Sequence, residues 1–204
     1  FPATDLPAFV YPANLLTTWP GRLGSWRITL TLTDPGTGAL APDNWLTVEP
    51  EGWSYTGSRL QWLSEDLPPK TAIRWQVIHP AIWQEIQSRR QSIRQQAAPT
   101  AFLELGDIYR ELYNSAADEP DAAAGDRERF YAHALGAYTD GLAAAQQNGA
   151  PAGESARLHH ALASLYRSRS IGADGQLDPA YVQLMVEEAE AALAALPGDA
   201  AAQR

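Results

Sequence analysis

The sequence predicts a mixed fold, in which a small antiparallel β-sandwich is followed by an α-helical region of paired helices. Two observations predict this division. Apolar residues recur at every second position in segments before residue 80 and at helical spacing after it. Composition changes at nearly the same place, because all seven Trp precede residue 84 and Ala is concentrated after residue 96. We therefore expect a Trp-rich β domain at residues 1–80, a connecting helix at 81–98 and a helical domain at 99–204.

The first part contains segments with the two-residue period of half-buried strands. In residues 25–33 (SWRITLTLT), Trp, Ile and Leu alternate with Arg and Thr, and Asp-Pro-Gly then forms a turn. The stretch LPPKTAIRWQV resembles a late strand of immunoglobulin- and fibronectin-like domains, where a Trp or Tyr fills the core. Short strands with Gly and Pro between them favour a sandwich. The same pattern predicts further strands at residues 59–63 and 71–79. We also expect short strands at residues 44–50 and 52–57.

From residue 80 onward the apolar residues follow the period of a helix. Asp126 and Asp178 are the expected N-caps, because their side chains can accept hydrogen bonds from the first free backbone N–H groups. Gly149 and the pair Pro197-Gly198 are the expected stops. The helices are predicted at residues 80–96, 100–114, 126–147, 154–169 and 178–196.

The helices after residue 99 repeat. Leu105-Gly106-x-x-Tyr109 matches Leu162-Ala163-x-x-Tyr166 at an offset of 57 residues, and the following helices (ALGAYTDGL and MVEEAEAAL) also correspond. This arrangement resembles the tetratricopeptide repeat family, in which each repeat is a pair of helices. The alternative is a helical bundle with Ala-rich contacts. The matching residues are Leu105, Gly106, Tyr109, Ala134, Tyr138 and Leu142 in the first unit, and Leu162, Ala163, Tyr166, Ala192, Leu193 and Pro197 in the second.

The resemblance has two consequences for individual positions. Gly106 becomes the small residue at a helix crossing, where leucine would destabilise strongly and alanine would be tolerated. Met185 and Ala189 occupy the positions of the small and the aromatic residue in the second helix of the second unit. That helix therefore departs from the family pattern.

The resemblance implies a non-catalytic scaffold or accessory subunit that binds another protein on a surface formed by the first helix of each pair. Arg side chains there would pair with carboxylates of the partner, and acidic side chains with its basic groups. The implied partner-binding residues are Leu103, Asp107, Arg110, Glu111, His160, Ser164, Arg167 and Ser168.

No residue pattern indicates a catalytic, cofactor or metal site. His159 and His160 are adjacent, so on a helix they point about 100° apart and cannot chelate one ion together. The acidic segment 118–126 clusters carboxylates of the kind that bind calcium, but it lacks the ligand spacing of an ordered calcium loop. The sequence therefore leaves calcium binding open. The segment GWSYTG does not match the Gly-x-Ser-x-Gly motif of a nucleophile elbow, because its fifth residue is Thr56 and not Gly. An enzyme would need groups brought together at the β/α junction, such as His79, Glu85 and Arg89.

The charge distribution argues against a nucleic-acid partner. Residues 1–98 carry 8 basic and 8 acidic side chains, whereas residues 99–204 carry 7 basic and 16 acidic ones. A nucleic-acid surface would need a basic face. No apolar run is long enough for a transmembrane segment.

The Trp residues support an alternative function, because indole faces stack on sugar rings. Trp19, Trp45 and Trp53 lie near predicted turns, so the β domain would be a carbohydrate- or envelope-binding module. The chain begins with Phe and contains one Met, from which we expect a trimmed product located outside the cytoplasm, periplasmic or secreted. The preference for Arg over Lys and the abundance of Ala are typical of a GC-rich bacterial genome.

Overall fold

The computed structural model describes residues 8–11, 25–31, 45–56, 59–65, 72–118, 124–172 and 175–196. Within them six strands precede five helices, so the predicted order of β and then α structure is confirmed. The chain divides into two compact units, Phe1–Glu85 and Ile86–Arg204. We call them the β unit and the helical unit. The division falls inside the first helix, which the sequence predicts as a connector.

The strands form two antiparallel sheets of three strands each, in the orders β1-β6-β3 and β2-β5-β4. Five of the strands lie where the sequence analysis predicts them, three of them on the basis of the two-residue period. The sequence analysis missed β1, whose four residues are too few to establish a period. The bounds are β1 Ala8–Tyr11, β2 Ser25–Thr31, β3 Trp45–Glu49, β4 Trp53–Thr56, β5 Arg59–Glu65 and β6 Ile73–Val77.

The core of the β unit takes residues from both sheets. Leu60 and Trp62 of β5 are buried with three residues of β6, as the alternation in both strands predicts. The indole Nε1 of Trp62 donates to the carbonyl oxygen of Pro50 at 2.8 Å, so its one polar atom is satisfied. Packed against this cluster are Ile28, Leu30, Val48 and Tyr55.

The helices are α1 Pro80–Gln95, α2 Pro99–Asp118, α3 Ala124–Gln147, α4 Ala152–Ser170 and α5 Pro179–Ala195, all within a few residues of the predicted bounds. The Asp178 side chain accepts from the Ala180 N–H at 2.9 Å, which confirms it as the N-cap of α5. Gly149 ends α3 with a φ of 58°, as its position predicts. The predicted stop at Pro197-Gly198 lies outside the described residues.

The prediction that Asp126 caps α3 is wrong. The helix begins at Ala124, so Asp126 lies in its first turn, where its carboxylate is 3.5 Å from the Arg129 guanidinium. A carboxylate in the first turn still interacts favourably with the positive end of the helix dipole.

The helical unit is assembled from two helix pairs. Its most extensive contacts join α2 to α3 and α4 to α5, and smaller contacts join α3 and α2 to α4. The large side chains in its interior come from α1, α2, α3 and α4, whereas α5 has no buried residue. The largest fully buried side chains of the unit are Ile86, Tyr113, Phe130, Tyr138, Leu158 and Leu165.

Gly106 of α2 lies directly beside the Tyr138 ring of α3. A Cβ atom there would be 2.5 Å from Cδ1 and 2.8 Å from Cζ of Tyr138, and nearer still to Cε1. The ring is fully buried, and its hydroxyl donates to Asp107 Oδ1 at 2.8 Å, so it cannot move aside cheaply. This contact contradicts the expectation that alanine is tolerated at Gly106, because the comparison of the two sequence units could not show an aromatic ring so close to the glycine.

Candidate functional site

Three helices of the helical unit, α2, α4 and α5, enclose an open groove with a volume of about 810 Å³. This size lies within the range of pockets that hold a small molecule or a few side chains of a peptide. We call it the partner groove. It is lined by Leu103, Asp107 and Arg110 of α2, by Gly153, Ala156, Arg157, His160 and Ala161 of α4, and by Ala189, Ala192, Leu193 and Leu196 of α5 and its C-cap.

Small residues make the partner groove wide. Gly153, Ala156 and Ala161 of α4 face Ala189 and Ala192 of α5 across it. In the repeat resemblance suggested by the sequence, Ala189 corresponds to Tyr138 of α3, so this position of α5 carries a methyl group where the resemblance expects a ring.

The apolar rim of the partner groove is open to solvent. Leu193 is 71% exposed and Leu196 is 50% exposed. Their exposure is unexpected, because α5 is the most apolar of the five helices in composition. Burying such leucine side chains is worth about 1.5–3 kcal/mol each. The groove can therefore gain free energy by covering them with a ligand.

The acidic group of the groove is already committed to internal partners. Asp107 Oδ1 accepts from the Tyr138 hydroxyl at 2.8 Å and lies 3.1 Å from Arg110 Nη2. Burial, together with the Asp107 carboxylate, raises the pKa of Tyr138. Asp107 thus orients Arg110 and Tyr138 through Oδ1.

The basic groups of the groove are more accessible. Arg157 is exposed and forms no ion pair with any residue in the part of the chain that the structure describes. His160 is also exposed beside it. Two Arg and one Asp line the groove, so its fixed charge is positive although the whole chain carries −9. An acidic ligand would be attracted to it.

The structure brings together four of the eight residues that the repeat resemblance assigns to partner binding. Leu103, Asp107, Arg110 and His160 line the partner groove. Among the other four, Glu111 and Arg167 are exposed and Ser168 is half-buried, and all three lie outside the groove. The Ser164 hydroxyl donates to the His160 carbonyl oxygen at 3.0 Å, within its own helix.

The sequence analysis missed Arg157 and the residues contributed by α5. The family register assigns the surface to the first helix of each pair, whereas α5 is a second helix. The signal in the sequence was Ala189, a small residue where the repeat resemblance expects an aromatic one. The groove itself is recognised only from the positions of the three helices in the structure.

A cluster of tyrosine and arginine side chains joins the two helix pairs away from the groove. The Arg169 guanidinium lies 5.1 Å above the Tyr131 ring and 5.6 Å above the Tyr181 ring, and it pairs with Glu128. The Tyr166 and Tyr181 rings are 6.4 Å apart. These contacts link α3, α4 and α5, so they hold the walls of the partner groove in place. Residues this far apart in sequence gave no signal in advance.

The residues considered for catalysis and metal binding have structural partners. His79 Nδ1 accepts from the Ala81 N–H at 3.3 Å at the start of α1, and Arg89 pairs with Glu104 at 2.9 Å. His159 Nδ1 lies 2.6 Å from Glu188 Oε2, joining α4 to α5. In the described ranges no group of three or more His, Asp or Glu side chains could hold a metal ion. Of the acidic segment 118–126, for which calcium binding was left open, Glu119 and Asp121 lie outside the described residues.

Searches against family models, curated proteins and solved structures each return no significant match. Among the described residues, the helices are also too short or too polar to cross a lipid bilayer.

We expect the helical unit to lose stability at high pH. The pKa of Tyr138 is raised in the folded chain above its ordinary value of 10.0, mainly by burial. As the pH rises, the unfolded chain therefore releases this proton before the folded chain does. The contribution of Tyr138 to the free energy of unfolding is fully present below pH 10 and falls above it by about 1.4 kcal/mol per pH unit. Urea unfolding followed by circular dichroism between pH 8 and 11 measures it. Tyr138→Phe should lessen the slope, and an unchanged slope would contradict the assignment.

Proposed function

We propose that this protein is a non-catalytic interaction module that binds a segment of a partner protein in the partner groove. The single observation that carries the proposal is the groove itself, because its floor of small residues, its exposed leucines and its exposed Arg157 form an accessible amphipathic surface on otherwise packed helices. The chemistry it offers is burial of an apolar side chain beside a positive charge.

The helix arrangement supports a tetratricopeptide-like architecture as part of the proposal. The sequential pairing of α2 with α3 and of α4 with α5, with contacts from α2 to α4, is the order in which such repeats stack. Gly106 and Ala163 provide the small residue in each first helix. We also propose that the two sheets of the β unit form a small sandwich, on the basis of the shared core around Trp62 and Trp75.

The partner would present an apolar side chain followed or preceded by an acidic one. The apolar side chain would cover Leu193 and Leu196 over the alanine floor, and the carboxylate would pair with Arg157. Asp107 would not discourage this partner, because Arg110 and Tyr138 already neutralise and bind its carboxylate.

Charge reversal in the groove should weaken partner binding. We expect Arg157→Glu to reduce affinity about tenfold or more, because it replaces an attraction for a carboxylate by a repulsion. Partner proteins would be captured from the native source with wild-type chain and with the variant in parallel, and the affinity of each captured protein would then be measured by isothermal titration calorimetry.

Arg167→Glu is the matched control, since Arg167 is an exposed arginine on the same helix outside the groove. A photo-cross-linking amino acid at Leu193 should also trap the partner, whereas the same amino acid at Glu111 should not. A partner that binds both charge variants equally, and that cross-links at neither or both positions, would exclude the groove as its site.

A second candidate function belongs to the β unit. Trp53 is 39% exposed, whereas Trp62, which is opposite to it in the ladder, is 2% exposed. An exposed indole could stack on a sugar ring, as the carbohydrate- or envelope-binding alternative requires. Trp45 and Trp26 have no described side chain, and Trp19 lies outside the described residues. Glycan binding by the full chain that Trp53→Ala abolishes would support this alternative.

A further inference from the structure

A second cleft, of about 410 Å³, lies between the end of α1 and the helices α2 and α3, all within the helical unit. Its polar groups come from Arg90 and Arg94 of α1, Tyr109 of α2, and His133 and Asp140 of α3. We call it the basic cleft. It shares no lining residue with the partner groove, so a ligand site here would be independent of the proposed function.

The polar groups of the basic cleft are held in place by one another. Arg90 Nη2 donates to the Tyr109 hydroxyl oxygen at 2.8 Å, and the Tyr109 ring lies against the His133 ring with centroids 4.8 Å apart. Tyr109 is buried, with 3% of its surface exposed. Its hydroxyl accepts from Arg90 and still has its own proton to donate. The arrangement presents preorganised donors to an incoming acceptor.

The cleft also has an apolar wall. Ile93 of α1 and Phe102 and Leu105 of α2 line it beside the charged groups. A ligand that fills this space would therefore need an apolar body as well as a polar head. The volume is within the range of pockets for small molecules.

The charges of the cleft select a singly charged anion. Arg90 and Arg94 contribute two positive charges and Asp140 one negative charge. His133 is neutral at pH 7, because burial and then the charges of Arg90 and Arg129 lower its pKa below 6.5. The fixed charge is thus +1. A monoanion would neutralise this charge, whereas a dianion such as phosphate would leave a net negative charge beside Asp140.

We infer that the basic cleft binds a small aliphatic monocarboxylate. Its carboxylate accepts hydrogen bonds from the guanidinium groups of Arg90 and Arg94, and its alkyl chain lies against Ile93, Phe102 and Leu105. Arg94 is exposed and pairs with no acidic residue that the structure describes, so its guanidinium is available to the ligand.

The His133 imidazole reports occupancy of the cleft. The groups that face it are Arg90 from α1, Tyr109 from α2 and Arg129 from α3. The two guanidinium charges disfavour the imidazolium form, and a bound carboxylate would offset them. The pKa of His133 should therefore rise when the ligand binds.

The test is an NMR titration of the full chain with octanoate, in which the imidazole resonance of His133 is assigned by its loss in His133→Gln. We expect a saturable shift with a dissociation constant of about 1 mM or below, and an upward shift of the His133 pKa. Octanamide has the same chain without the charge, and inorganic phosphate has charge without the chain. Neither should saturate the cleft at the same concentration.

Arg94→Gln should weaken octanoate binding about tenfold, because it removes a charge-assisted hydrogen bond. It is the primary variant, because Arg94 forms no ion pair among the described residues, whereas Arg90 already donates to the Tyr109 hydroxyl oxygen. Arg167→Gln, an exposed arginine elsewhere, is the control and should bind octanoate like the wild-type chain. The inference is overturned by the absence of saturable octanoate binding, by equal binding of octanamide, or by unchanged affinity in Arg94→Gln.

Discussion

Gly106→Ala is expected to lower the free energy of unfolding of the helical unit by about 1–3 kcal/mol, the usual range for overpacking a core. The added methyl group would lie 2.5 Å from Cδ1 of Tyr138 and must displace a ring that is fully buried. Moving the ring would also strain its hydrogen bond to Asp107. Alanine normally gains about 1 kcal/mol over glycine in a helix, so a loss here would be a direct sign of the contact.

Gly136→Ala is the matched control for this substitution. Gly136 also lies inside a helix of the same unit, but a Cβ atom there would meet no atom within 4 Å. We expect it to stabilise by about 0.5–1 kcal/mol. Both variants would be measured by urea unfolding, followed at the circular dichroism signal of helices. If both glycines respond alike, the tight contact at Gly106 does not exist.

A double-mutant cycle separates the ring contact from other causes. In a Tyr138→Leu background, which removes the aromatic ring, Gly106→Ala should lower the free energy of unfolding by less than it does in the wild-type chain. An equal cost in both backgrounds would mean that backbone changes, and not the Tyr138 ring, account for the loss.

Trp62→Ala is expected to destabilise the β unit by about 3–5 kcal/mol, which is typical for removing a large aromatic side chain from a core. Trp62 is 2% exposed, belongs to the cluster shared by both sheets, and donates to the Pro50 carbonyl oxygen. Its removal would leave a cavity between the sheets and an unsatisfied carbonyl. The effect should be confined to the β unit.

Tryptophan fluorescence reports this unfolding selectively, since all seven Trp precede residue 84 and so belong to the β unit. Trp53→Ala is the control, because Trp53 lies opposite Trp62 in the ladder but is 39% exposed. It should cost less than half as much. A comparable loss at both positions would mean that the strand pair, and not the shared core, determines stability.

Alternation of apolar and polar residues was sufficient to predict three of the strands and the buried positions Leu60 and Trp62. The helical period likewise predicted all five helices. Local chemistry also predicted the Asp178 cap and the Gly149 stop, because both depend on neighbours along the chain. The Asp126 cap failed because α3 continues two residues upstream, which a side-chain preference at one position cannot reveal.

The candidate sites were predictable only in part, for a reason that Tyr138 and Arg157 illustrate. The repeat register placed Leu103, Asp107, Arg110 and His160 on one surface, because equivalent helices present equivalent positions. Whether a side chain is free to bind depends on contacts between helices. Asp107 is engaged by Tyr138 from α3, whereas Arg157 has no such neighbour in the described part of the chain. The Arg–Tyr–His arrangement of the basic cleft likewise joins residues from three helices.

The absence of any buried residue on α5 has a consequence for how the partner groove opens. The free energy that keeps a helix docked scales with the apolar surface it buries, so α5 belongs to the least protected part of the unit against local opening. Lifting α5 would remove one wall of the groove while the interior between α2, α3 and α4 stays closed. A ligand that covers Leu193 and Leu196 adds the burial that α5 lacks. Occupation of the groove and protection of the α5 amide protons from solvent exchange are therefore thermodynamically linked.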